Sequence, residues 1–135
     1  MKALSVKQPW LDAILYGGKT TENRRWPVPD VQLGTPVLLH ASASPDRRAV
    51  LPQGIDSTKW PRRRGAILAV ATLASFHRDT GCCRPWGEAG TYHWQLADIQ
   101  LLHEPIPCRG ALKFWTPPTS ALDAVTAQLT TTNGR

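Results

Sequence analysis

Lys19 and Glu22, three residues apart, are the one pair in this chain whose types and spacing could do chemistry. A lysine desolvated in a cleft serves as a base or an electrophilic stabiliser, and a carboxylate beside it can carry a proton. Thr20, Thr21 and Arg24 stand next to the pair in sequence, and Tyr92 is a more distant supporting residue. No Ser-His-Asp pattern and no phosphate loop competes with it.

The elements that must position this pair are legible on either side of it. Lys2 to Val6 reads as a first strand that delivers Lys7 and Gln8 to a helix start at Pro9. Trp10, Ala13, Ile14 and Gly17 follow the spacing of one buried helical face, and Gly17-Gly18 stop the helix. Partial positive charge at that helix start can seat an anion or a carbonyl, though Gln8 can equally act as a simple cap. If Thr20 to Trp26 is extended, Thr20, Glu22, Arg24 and Trp26 share one face, with Thr21, Asn23 and Arg25 on the other. Neither face is aliphatic. Such a strand lies at a sheet edge or lines a polar cleft.

The string Ser5-Val6-Lys7-Gln8-Pro9-Trp10, followed by Gly18-Lys19, Glu22, Arg24 and Trp26, resembles the signature of the ASCH (activating-signal-cointegrator homology) family. LLHAS, GAILAVATLASF and KFWTP follow in an order similar to the family's, so the resemblance covers nearly the whole chain as a single domain of residues 1–130 with a frayed tail, 131–135. It implies an α+β fold, a small PUA-like mixed β-barrel flanked by short helices, and a role with RNA, DNA or a nucleoside. Some relatives are similar to acetylcytidine amidohydrolases, which combine a lysine, a threonine three residues on and a distant glutamate. Here Lys19 matches the lysine, but Glu22 stands where the threonine belongs, and Glu88 and Glu104 are the candidates for the partner glutamate. Ribonuclease activity, attributed to other members, would use Lys19 to stabilise charge developing on phosphate.

Composition agrees with a polyanion partner. The chain has 135 residues, with sixteen Lys and Arg against ten Asp and Glu, a formal charge of +6. No apolar run reaches the length of a membrane span and no secretory leader is evident, which points to the cytoplasm. The three cysteines are expected as reduced thiols, because Cys82 and Cys83 are adjacent. His77, Cys82, Cys83 and His93 include metal-ligand types, but without a CxxC pair the sequence assigns no metal and no cofactor.

The remaining chain supplies candidate contacts. Pro36 precedes an apolar strand ending at Ala41, and Ser44-Pro45-Asp46 reads as a helix start that Pro52 terminates. Gly54 to Gly65 reads as an exposed loop whose Lys59, Trp60, Arg62, Arg63 and Arg64 can hold phosphates and stack a base, unless Trp60 packs back on the fold. Ala66 to Phe76 is apolar on both faces and should be the most buried strand. His77 to Thr91 is either a flap that closes Trp86 over a ligand or a surface hairpin. The phase of apolar residues breaks at Ala97-Asp98, the mark of a β-bulge, and Pro105 and Pro107 should end that strand. Ala111 to Trp115 gives a last strand carrying Lys113, and Ser120 with Asp123 opens a final helix that buries Leu122, Val125 and Leu129.

On this reading the chain is a nucleic-acid-binding module, for RNA in particular. Its contacts would be Lys7, Gln8, Lys19, Arg24, Arg25, Trp26, Lys59, Trp60, Arg62, Arg63, Arg64, Trp86 and Lys113. The alternative is a small hydrolase of a modified nucleoside, or a ribonuclease, working through Lys19 and Glu22.

Overall fold

A computed structural model describes residues 1–133. The elements run β1 (Ala3–Val6), α1 (Trp10–Tyr16), β2 (Thr21–Arg24), a short 3₁₀ turn, β3 (Pro36–Ala41), β4 (Ala66–Arg78), β5 (Tyr92–Pro107), β6 (Phe114–Trp115) and α2 (Thr119–Asn133). The chain is therefore α+β, with one mixed sheet in the order β2-β5-β4-β3-β1-β6. β1 and β3 are parallel and the other pairings antiparallel. Among the described residues the sheet is open, with β2 and β6 at its edges.

Its two faces are buried by different helices. Leu4, Val6, Val37 and Leu39 pack in one layer with Leu11 and Ile14 of α1. Ala3, Leu38 and Ile67 face the other layer, with Ala121 and Val125 of α2. That two-sided burial explains why β3 and the first half of β4 are continuous apolar runs rather than alternating ones. Three register shifts interrupt the β4–β5 ladder. One leaves Asp98 at φ 51, so the bulge foreseen at Ala97-Asp98 is present.

One expectation fails in an instructive way. Ser44 to Pro52 forms no helix. Asp46 accepts hydrogen bonds from the Trp10 indole and the Arg48 N–H, so its carboxylate serves a tertiary contact and a local turn instead of a cap. β5 ends at Pro107, at the proline pair expected to close it, and passes Pro105 with ladder partners reached again through Ile67↔Ile106 and Ala66↔Pro107. α2 runs as far as Asn133, and Gly134 and Arg135 of the expected frayed tail lie outside the described residues. Among the described residues no helix is long and apolar enough to cross a membrane.

Candidate functional site

β2 pairs on one side only, with β5, through Thr21↔Gln95, Glu22↔Trp94, Asn23↔His93 and Arg24↔Tyr92. Strand alternation then separates its side chains into two working faces. Glu22 and Arg24 line a cleft of about 920 Å³ between α1, β1 and the 108–113 loop. Thr21 and Asn23 have other partners: Thr21 Oγ is engaged with the Gln95 side chain of β5, while Asn23, which also borders the cleft, donates to the Trp86 carbonyl at 2.9 Å and accepts from the Glu88 N–H at 2.9 Å in the 79–91 loop. Asn23 is thus a clamp that sequence reading passed over, because its partners lie more than sixty positions away.

The floor of the cleft is a chain of three charges. Lys19 is 2% exposed, and its ammonium donates to the Thr21 carbonyl and lies 3.8 Å from Glu22 Oε1. Glu22 Oε2 accepts two N–H groups from Arg24, at 2.9 and 3.2 Å, and Arg24 reaches on to the Ser5 carbonyl at 3.1 Å. The Lys19 ammonium lies 5.5 Å from the centre of the Trp10 ring and 5.9 Å from that of Trp86, while Arg24 stacks over Trp94 at 5.7 Å. Burial pushes the Lys19 pKa below its ordinary value, against the opposing pull of the Glu22 and Glu88 carboxylates. Lys7, Arg109 and Lys113 are exposed at the rim, and none of the three has an ion-pair partner among the described residues.

One wall holds a polar network. His40, 1% exposed, donates from Nε2 to the Cys108 carbonyl at 2.7 Å, which leaves Nδ1 to accept from the Ser5 hydroxyl at 3.0 Å. Ser5 in turn accepts from the Trp115 indole at 3.1 Å. Burial lowers the His40 pKa, so the ring is neutral.

The structure gathers Lys7, Lys19, Glu22, Arg24 and Lys113 at this cleft and hangs Trp86 over Lys19. Gln8 is corrected. Its amide bonds the Asp12 carboxylate and the Arg63 carbonyl and accepts the Asp12 N–H, so it caps α1 from the interior, 3% exposed. Trp60 is corrected as well. It is 9% exposed and lies against Gly17, where an added Cβ would come within 2.8 Å of the indole.

The loop carrying Trp60 is held down by Asp12, whose other carboxylate oxygen accepts the Arg62 N–H at 2.8 Å. Lys59, Arg62, Arg63 and Arg64 are exposed on that loop but do not line the cleft. The same is true of Arg25 and Trp26 beyond β2. Tyr92 packs against Phe76 under Arg78 and takes no part in the cleft. Of the two candidate glutamates, Glu88 lines the cleft, whereas the Glu104 backbone bonds the Gln128 side chain beside α2.

A cluster of histidine and cysteine side chains lies where the 79–91 loop meets the ends of β4 and β5. His77, Cys82, Cys83 and His93 place one ligand atom each within 4.8 Å of one another. Hydrogen bonds from Thr80 hold the Cys82 thiol down at about 5, while burial raises that of Cys83. No protein-family model matches this chain, and neither does any curated protein.

Proposed function

We propose that the chain is an ASCH-type, PUA-like module that binds single-stranded RNA by drawing one base into the cleft. The observation that carries this reading is the graded charge of that cleft. Its floor offers two cations bridged by one carboxylate, which together present donors and an acceptor to a base edge. Trp10 adds an aromatic face, and the unpaired Lys7, Arg109 and Lys113 at the rim suit phosphates. The volume of about 920 Å³ lies within the range of small-molecule sites and has room for a nucleotide. The register shifts along β4–β5 are the irregularities that curve long strands, which supports the PUA-like architecture.

The test is fluorescence anisotropy with a labelled RNA oligonucleotide over a range of salt. With three rim cations engaged, log affinity should fall against log salt with a slope of roughly −2, and the double variant Lys7→Ala/Lys113→Ala should bring that slope to less than −1 in magnitude. Binding that ignores salt, or a double variant that behaves like wild type, would count against the cleft as the RNA site.

One observation favours a second reading, hydrolysis of a modified nucleoside. Burial lowers the pKa of Lys19 beside the Glu22 carboxylate, the setting of a lysine general base. Thr21 Oγ is occupied by Gln95, so the nucleophile in this reading is water activated by Lys19. Turnover of acetylcytidine by wild type, abolished in Lys19→Met, supports it. The absence of turnover leaves the binding reading alone.

A further inference from the structure

We propose that His77, Cys82, Cys83 and His93 form a tetrahedral zinc site that staples the 79–91 loop to the β4–β5 ladder. The histidines come from the sheet, where His77 and His93 are direct cross-strand partners with their rings edge to face at 5.3 Å. The cysteines come from the loop that leaves β4 after Arg78, one residue beyond His77. In an extended chain neighbouring side chains point apart, but Cys83 sits at φ 65, a left-handed conformation that cysteine seldom adopts. Both sulfurs consequently reach the same nitrogen: Cys82 Sγ lies 3.2 Å and Cys83 Sγ 3.5 Å from His77 Nε2. Cys82 Sγ is also 3.6 Å from His93 Nδ1.

These spacings match the chemistry of the ion. Zinc–sulfur bonds of about 2.3 Å and zinc–nitrogen bonds of about 2.0 Å, set at tetrahedral angles, separate sulfur from nitrogen by about 3.5 Å. The ring orientation fits as well. His93 Nε2 faces the Glu88 carbonyl at 2.9 Å, which can only accept, so that nitrogen carries the hydrogen and Nδ1 presents its lone pair to the cluster. Asp79 Oδ1 lies 3.5 Å from the same Nε2, giving the carboxylate–histidine arrangement that orients metal ligands.

Gly87 leaves the room this requires, because a Cβ there would come within 2.7 Å of the His93 ring and 2.9 Å of Cys83 Cβ. Two sulfurs and two imidazoles favour zinc over the oxygen-seeking divalent ions, and two thiolates neutralise its charge. The protons displaced from the cysteines pass to solvent. The inference stands whether or not the cleft binds RNA.

The experiment uses the full chain. Protein purified and desalted after incubation with zinc is assayed for metal, and chelator-treated wild type is titrated with cobalt(II) as a spectroscopic substitute. About one zinc per chain is expected, with thiolate-to-cobalt charge-transfer and tetrahedral d–d bands. Retained zinc should fall at least about tenfold in Cys82→Ser and in His93→Asn and stay at the wild-type level in Cys108→Ser, which lies outside the cluster. The cobalt titration of wild type decides the matter even if a ligand variant fails to fold. Less than a tenth of an equivalent of zinc together with a featureless cobalt spectrum would overturn the proposal, and so would a Cys82–Cys83 disulfide in the freshly purified protein.

Discussion

Lys19 is a cation that the fold holds away from water, and its consequences are measurable. Its pKa is depressed in the folded chain, so the unfolded state binds the extra proton wherever the two states differ. Stability should therefore rise with pH through the window that ends near the ordinary lysine value of 10.5, with Lys19 contributing at most about 1.4 kcal/mol per pH unit. Thermal melts across that window should show the rise in wild type and a flatter profile in Lys19→Met; parallel profiles would refute it. Glu22→Gln removes the carboxylate between two cations while leaving an acceptor for Arg24. It should lower stability by about 1–3 kcal/mol and leave RNA affinity equal or higher, which denaturant titration and anisotropy can separate. Alternation along 20–26 made the Glu22/Arg24 face legible in the sequence. Asn23, Asp12 and His40 were not legible, because each is defined by partners 50 to 68 residues away.

At the scale of elements, local rules succeeded where one segment answers to itself and failed where another segment competes. Ala13 and Ile14 of the α1 face, the β-bulge and the doubly buried first half of β4 could be read from spacing alone, whereas Leu11 and Asp12 are buried in place of the expected Trp10 and Gly17. The helix expected after Ser44 is absent because Asp46 is taken up by Trp10, and the basic loop is anchored because Asp12 of α1 and Gly17 behind it hold its backbone and its indole. Trp60→Ala should accordingly cost about 3 kcal/mol in stability and leave RNA affinity unchanged, since it opens a cavity away from the cleft. Gly17→Ala, which drives a methyl into the same ring, should cost about 1–3 kcal/mol alone and much less in the Trp60→Ala background. Additive losses in urea titrations of that cycle would disprove the contact.

For the whole molecule, net charge raises polyanion binding as an expectation but cannot say where the charge is concentrated. Lys7, Arg109 and Lys113 stand at the rim of the cleft, whereas Arg63 and Arg64 are exposed on a loop outside its lining. If the cleft is the binding site, Lys7→Ala/Lys113→Ala should weaken RNA binding several-fold more than Arg63→Ala/Arg64→Ala at the same salt, the loop pair contributing only at long range. Equal losses in an anisotropy comparison would move the site to the loop. Single strands and helices were legible because apolar periodicities are local, and the α+β class was expected from the family resemblance. The sheet order was not, since the pairing of β1 with both β3 and β6 is a property of the assembled chain.

The edge position of β2 has a consequence in time as well as in space. β4 lies between β3 and β5, so its amides should exchange with deuterium only on global opening, whereas β2 is bonded on one side and can detach alone. The candidate site therefore rests on one of the strands freest to leave the sheet. A ligand bridging Lys19, Glu22 and Arg24 should slow exchange in 21–24 far more than in 66–78, making occupancy of the cleft readable as a local change in protection.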